Sequence, residues 1–222
     1  MEHLPFDLQI LNALAALLLL LSFAMLSQRR IVTLVNLLAV QGALLCIATV
    51  LLAWRTGATH LYFSAALTLT VKVIFLPWLL HRLIRRLGVY WDTEPLLNIT
   101  GTMLIGVLVV VFSFGLAQPI SALASTATRN AIGIAVAVVL IAFLTMITRR
   151  KAMSQVVGFL SMENGLFFGA MSATYGMPMI VELGVALDVL VAMLVLGVFF
   201  FQIREQFDSL DLKHLESLKE DQ

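Results

Sequence analysis

Ala152-Met153-Ser154-Gln155-Val156-Val157-Gly158-Phe159-Leu160-Ser161-Met162-Glu163-Asn164-Gly165-Leu166-Phe167-Phe168-Gly169-Ala170-Met171-Ser172-Ala173-Thr174-Tyr175 is a helix-length apolar run with one charged residue, Glu163, near its centre. A helix of about 20 residues crosses a hydrocarbon core of about 30 Å. A charge at that depth costs roughly 2.5–3.5 kcal/mol on insertion scales, so it needs a partner or a wet path. Two more ionisable side chains, Lys72 and Asp188, fall near the middle of other apolar runs, and Glu182 lies near the start of one. The chain therefore reads as an all-α integral membrane protein with a polar row through its middle.

Composition agrees. The 222 residues are 61% hydrophobic, against about 45–50% in soluble domains, and the mean hydropathy is +1.01. Cys46 is the only cysteine and His3, His60, His81 and His214 are scattered, so no thiolate or imidazole set is suited to a metal or an iron–sulfur cluster. No catalytic, cofactor-binding or metal-binding residues are expected in this chain. Phosphate-binding loops, nucleophile elbows and dinucleotide fingerprints are missing from the sequence. Its basic residues hug the ends of apolar runs, which leaves no footprint for nucleic acid. Glu2, His3 and Asp7 precede the first run instead of a basic region, so that run is expected to stay as a membrane helix.

Seven spans are predicted: Leu8–Leu26, Ile31–Ala53, Leu61–Leu80, Leu96–Ala117, Ala131–Thr148, Ala152–Tyr175 and Met179–Ile203. The basic stretch His81–Arg86 and the segment Gln118–Arg129 read as breaks between spans. Of 14 Lys and Arg, Lys72 lies inside a span. Eleven fall on one side (Arg29, Arg30, Arg82, Arg85, Arg86, Arg149, Arg150, Lys151, Arg204, Lys213, Lys219) and two, Arg55 and Arg129, on the other. The positive-inside rule then predicts an outer amino terminus and a cytoplasmic carboxyl terminus.

Spans one to three and five to seven look like parallel copies. Each triplet opens with a span ending in an arginine pair, then carries a central polar group (Gln41, Glu163) and an ionisable group (Lys72, Asp188). The predicted organisation is a first three-helix unit at 1–87, a connector with the fourth span at 88–129, a second three-helix unit at 130–203 and a cytoplasmic tail at 204–222. The tail interleaves Phe207, Leu210, Leu212, Leu215 and Leu218 with charges, as expected for docking on a partner, with a membrane-surface helix as the alternative.

Lys72 should pair with a midplane carboxylate, since unpaired burial costs most. Asn164 offers a relay or anchor beside Glu163. Pro77 cannot donate to the carbonyl of Val73, so it either kinks the third span near the lysine or is an ordinary membrane-helix proline. Glu182 is either an access group near the outer surface or a snorkelling carboxylate. The bland alternative for the whole row is static interhelical glue.

Three segments carry a family resemblance: Gly158-Phe159-Leu160-Ser161-Met162-Glu163-Asn164-Gly165, Val181-Glu182-Leu183-Gly184-Val185-Ala186-Leu187-Asp188, and Leu69-Thr70-Val71-Lys72-Val73 with Pro77. With Ser209-Leu210-Asp211-Leu212 of the tail, these resemble the hydrogenase-4 component E family, membrane subunits of energy-converting nickel–iron hydrogenases and formate hydrogenlyases. Spans five to seven are also similar to the small K-type subunit of respiratory complex I and the C subunit of multisubunit sodium/proton antiporters. On that likeness Asp188 matches the third-helix glutamate, Glu163 comes about one turn later than the second-helix glutamate, and Gln41 and Lys72 replace acidic groups. The resemblance implies a non-catalytic subunit of a multi-subunit oxidoreductase in the bacterial inner membrane. It further implies a proton path through Glu163, Asp188, Lys72 and Glu182, supported by Gln41, Asn164 and Pro77. Nickel–iron and iron–sulfur centres would reside in peripheral partner subunits, with antiporter-like and anchor subunits beside this chain in the bilayer. The alternatives are a subunit of a sodium/proton antiporter-like complex and a purely structural anchor.

Overall fold

The computed structural model describes residues 6–87, 90, 98–121 and 126–174, with Gly184, Leu190, Met193 and Gly197 beyond them; within these, side chains are described except at 6–8, 87, 119–121 and 126–129. The chain divides into two units, Met1–Ala186 and Leu187–Gln222. In the second only Leu190, Met193 and Gly197 are described, all helical.

The first unit holds α1 (Phe6–Ser27), α2 (Ile31–Thr56), α3 (Thr59–Thr68), a π-helical stretch (Leu69–Phe75), α4 (Leu76–Leu87), α5 (Ile99–Ser121), α6 (Thr126–Thr148) and α7 (Ala152–Thr174). Every regular element among the described residues is helical, as a bilayer demands, because a helix satisfies its backbone polar groups internally. α3, the π-helical stretch and α4 form one continuous crossing, so six helices among the described residues are long and apolar enough to span a membrane. The protein is a multi-pass membrane protein. The seventh predicted span, Met179–Ile203, and the tail lie almost wholly outside the described residues.

One boundary moves. His81–Arg86 continues the third crossing to Leu87 instead of breaking it. Leu76, Leu79, Leu80, Leu83 and Ile84 are buried along one side of α4 while Arg82, Arg85 and Arg86 are exposed on the other. That spacing is an amphipathic helix, and a count of charges alone conceals it. The turn between α2 and α3 is tight: Gly57 adopts φ 67° and its N–H returns to the carbonyl of Ala53 at 2.9 Å. A left-handed residue at a helix end suits glycine, which has no Cβ to clash.

α1 packs on α2 and α6, α2 on α7, α6 on α7, and α5 on α6 and α1. The tightest seam is α6 against α7. A Cβ on Gly165 would lie 2.9 Å from Val138, one on Gly169 2.9 Å from the Cβ of Ala135, and one on Gly158 2.7 Å from Met146. Helices in lipid associate through such close packing because the solvent is as apolar as their side chains. Ala15, Leu18, Leu45, Ala48, Leu61, Val138, Phe168 and Met171 form a core shared by α1, α2, α3, α6 and α7. α5 stays largely exposed, with Leu104, Val107, Leu108, Val111 and Phe112 uncovered.

Candidate functional site: a buried ion pair between the third crossing and α7

Lys72 is the only buried residue of the π-helical stretch, and its side chain leaves the helix toward α7. Its Nζ donates to Oε1 of Glu163 at 2.6 Å and to Oδ1 of Asn164 at 3.1 Å. It also sits 5.3 Å from the centroid of the Phe167 ring, within cation–π range. Lys72 is 4% exposed, Glu163 1% and Asn164 3%. The pairing expected from the cost of lone charges thus forms between Lys72 and Glu163. The α7 residues that meet the lysine are Glu163, Asn164 and, one turn beyond Glu163, Phe167, so the helix offers a carboxylate, an amide and an aromatic face together.

The backbone is built to bring the pair together. Gly42 of α2 lies so close to the π-helical stretch that a Cβ there would be 3.2 Å from the Cβ of Lys72 and 3.4 Å from its carbonyl oxygen. The backbone N–H of Leu76 reaches back five residues to the carbonyl of Val71. Continued by one residue, that spacing sets Pro77, which has no N–H, opposite Lys72 and not Val73. The proline's effect is therefore a widened turn around the lysine. π-turns of this kind re-aim the side chains they carry and are frequent at functional sites.

Gln41 is fully buried but turns elsewhere: its Nε2 donates to Oγ of Ser22 in α1 at 2.9 Å, and that hydroxyl donates to the carbonyl of Leu18. The Oε1 of Gln41 has no hydrogen-bond partner among the described residues. Glu182 and Asp188 lie outside the described residues. Gly184, from the same motif, is described: a Cβ there would stand 2.6 Å from the Phe167 ring. Phe167 therefore lies against both the lysine and Gly184.

Sequence reasoning missed Phe167, Gly42, Ser22 and Arg149. Arg149 entered as one basic residue of a flank, yet it is 4% exposed. Its guanidinium donates to the carbonyls of Leu26 (3.0 Å), Met25 (3.4 Å) and Gln28 at the end of α1. Gln155 Nε2 in turn donates to the carbonyl of Arg149 at 2.9 Å. The last carbonyls of a helix have no partner of their own and accept such donors readily. No local signal announces a cap supplied from more than a hundred residues away.

No family model and no solved structure matches this chain. It is 24% identical over 210 residues to hydrogenase-4 component E of Escherichia coli K12, covering 95% of this chain and 97% of the relative, and equally to that of Shigella flexneri. It is 37% identical over 194 residues to the uncharacterized protein Rv0085 of Mycobacterium tuberculosis, covering 87% of this chain and 88% of the relative. With that identity over almost nine-tenths of both proteins, the chain belongs to the same membrane-protein family as Rv0085.

Proposed function

We propose that this protein is a non-catalytic membrane subunit of a hydrogenase-type complex, in which the Lys72–Glu163 pair belongs to a proton path or tunes proton movement in neighbouring subunits. The likeness to hydrogenase-4 component E over nearly the full chain supports the complex. The observation that carries the chemistry is the buried ammonium–carboxylate contact at 2.6 Å inside two membrane helices. Glue between helices is built at less cost from Ser, Thr or Asn than from two full charges.

The surroundings suit a carboxylate that gains and loses a proton. When Glu163 takes up a proton the Coulomb attraction to Lys72 falls away. The ammonium still has the Asn164 carbonyl oxygen and the Phe167 face, which hold it whatever the charge on Glu163. A cation with partners that do not titrate can remain in place while its carboxylate does. In this reading Asp188 and Glu182 extend the path, nickel–iron and iron–sulfur centres sit in partner subunits, and the amino terminus faces outward.

The test is proton-linked turnover of the assembled complex in sealed vesicles, beside its redox activity with an artificial acceptor. Glu163→Gln, Asp188→Asn and Lys72→Met are expected to assemble, keep the acceptor activity and lose coupling. Wild-type coupling in all three would reduce the row to packing. Failure of assembly would favour glue instead.

A further inference from the structure

A second polar feature lies on the same crossing, on the exposed face of α4. Arg82, Arg85 and Arg86 sit at i, i+3 and i+4 of α4, so they share one face. With Trp78 and His81 they line a cavity of about 430 Å³. Arg82 stacks over Trp78 at 5.4 Å. None of the three arginines meets a carboxylate among the described residues. His81 Nδ1 is engaged with the carbonyl of Pro77 at 2.7 Å, which leaves Nε2 for a ligand.

We infer that this cavity is a binding site for the phosphate-bearing headgroup of an anionic phospholipid, independent of the Lys72–Glu163 pair and of the function proposed above. Guanidinium forks match phosphate oxygens bidentately, and three like charges on one helix face repel until an anion joins them. Depth fits a lipid. Ten residues of helix separate Lys72 from Arg82, about 15 Å of rise, which is half the hydrocarbon thickness. With the lysine at mid-membrane the arginines stand at the headgroup level, where basic pockets between membrane helices hold anionic lipids. The approach also fits a lipid better than a free anion. Ile74, Phe75 and Trp78 are 60%, 37% and 54% exposed, and with Phe75 and Trp78 in ring contact they lead along the crossing to the arginines. Acyl chains would lie on that apolar strip with the phosphate above it.

The test uses the full-length chain in nanodiscs of phosphatidylcholine doped with phosphatidylglycerol, extracted gently and assayed for retained lipid by mass spectrometry. Wild type should retain phosphatidylglycerol about tenfold above its bulk fraction. The triple variant Arg82→Gln, Arg85→Gln, Arg86→Gln should return to the bulk ratio, and Arg150→Gln with Lys151→Gln should behave as wild type. The triple lysine exchange keeps the charge without the fork and should retain an intermediate amount, which also covers poor folding of the glutamine variant. Excess inorganic phosphate should not displace the lipid. No enrichment on wild type, enrichment unchanged in the glutamine variant, or displacement by inorganic phosphate would each overturn the assignment.

Discussion

Two buried cations in this protein are satisfied in opposite ways. Arg149 lies at the end of the α1–α6 contact and gives its guanidinium to backbone carbonyls. Lys72 lies mid-helix and gives its ammonium to a carboxylate and an amide. Carbonyl oxygens do not titrate, and an arginine stays charged at any pH a cell meets. Through that contact Arg149 holds two helices together. A carboxylate can take up a proton, so the lysine's contact has two charge states and can be switched. Burial is alike, 4% exposure for both cations; the chemistry of the partner separates a fastener from a candidate relay.

The largest expected effect comes from removing the carboxylate. Glu163→Leu leaves the buried ammonium with Asn164 and the Phe167 face but no counter-charge and should cost about 3–5 kcal/mol, read as a lowered unfolding midpoint in mild detergent. Lys72→Met combined with Glu163→Leu should recover most of that loss, because an apolar pair of similar volume is often as stable as a buried ion pair. A double variant that is stable yet uncoupled would show that the charges are kept for function. A double variant no better than the single would remove the energetic link between the two residues.

Next comes Arg149→Met, which strips a donor from up to three carbonyls at the end of α1. Each buried acceptor left without a donor costs about 1–3 kcal/mol. Water at the membrane boundary replaces part of that, so about 2–4 kcal/mol is expected for the whole cap. Artificial-acceptor activity and coupling in whatever folds should match wild type. Loss of coupling in a folded Arg149→Met protein would erase the proposed distinction between the two cations.

Gly169→Ala tests the seam that sets how α7 meets its neighbours. The new methyl would stand 2.9 Å from the Cβ of Ala135, a contact with no flexible end, so the helices must part at a cost of about 1–3 kcal/mol. A stability unchanged from wild type would mean that the seam has slack. The smallest effect is expected at Gln41→Leu. That change removes one hydrogen bond to Ser22 together with a buried oxygen that has no partner among the described residues, so stability should move by about 1 kcal/mol or less. If coupling is lost as strongly as in Glu163→Gln, Gln41 belongs with the lysine and not with α1.

The membrane-spanning pattern was legible because hydropathy and helix length are local properties. Six of the predicted spans coincide with described helices, within a few residues at their ends, apart from the longer third crossing. Its basic end was misread because a charge run and an amphipathic helix differ only in spacing, and Leu83 and Ile84 between the arginines are what reveal it. The need for a partner at Lys72 was legible too, since the cost of a lone charge in hydrocarbon depends on depth alone. Glu182 and Asp188, equally visible in the sequence, fall outside the described residues.

By itself, then, the sequence determined that the chain lives in a membrane, where its helices run, and that Lys72 and Glu163 demand company. The tertiary structure alone decided that they keep company with each other, that Gln41 turns to Ser22, and that Arg149 caps a helix distant in the chain. The physical reason is geometric. Partner choice depends on how far each helix is rotated and how closely its neighbour approaches. Those quantities are set by contacts such as Gly42 against Lys72 and Gly165 against Val138, between residues that no local pattern links.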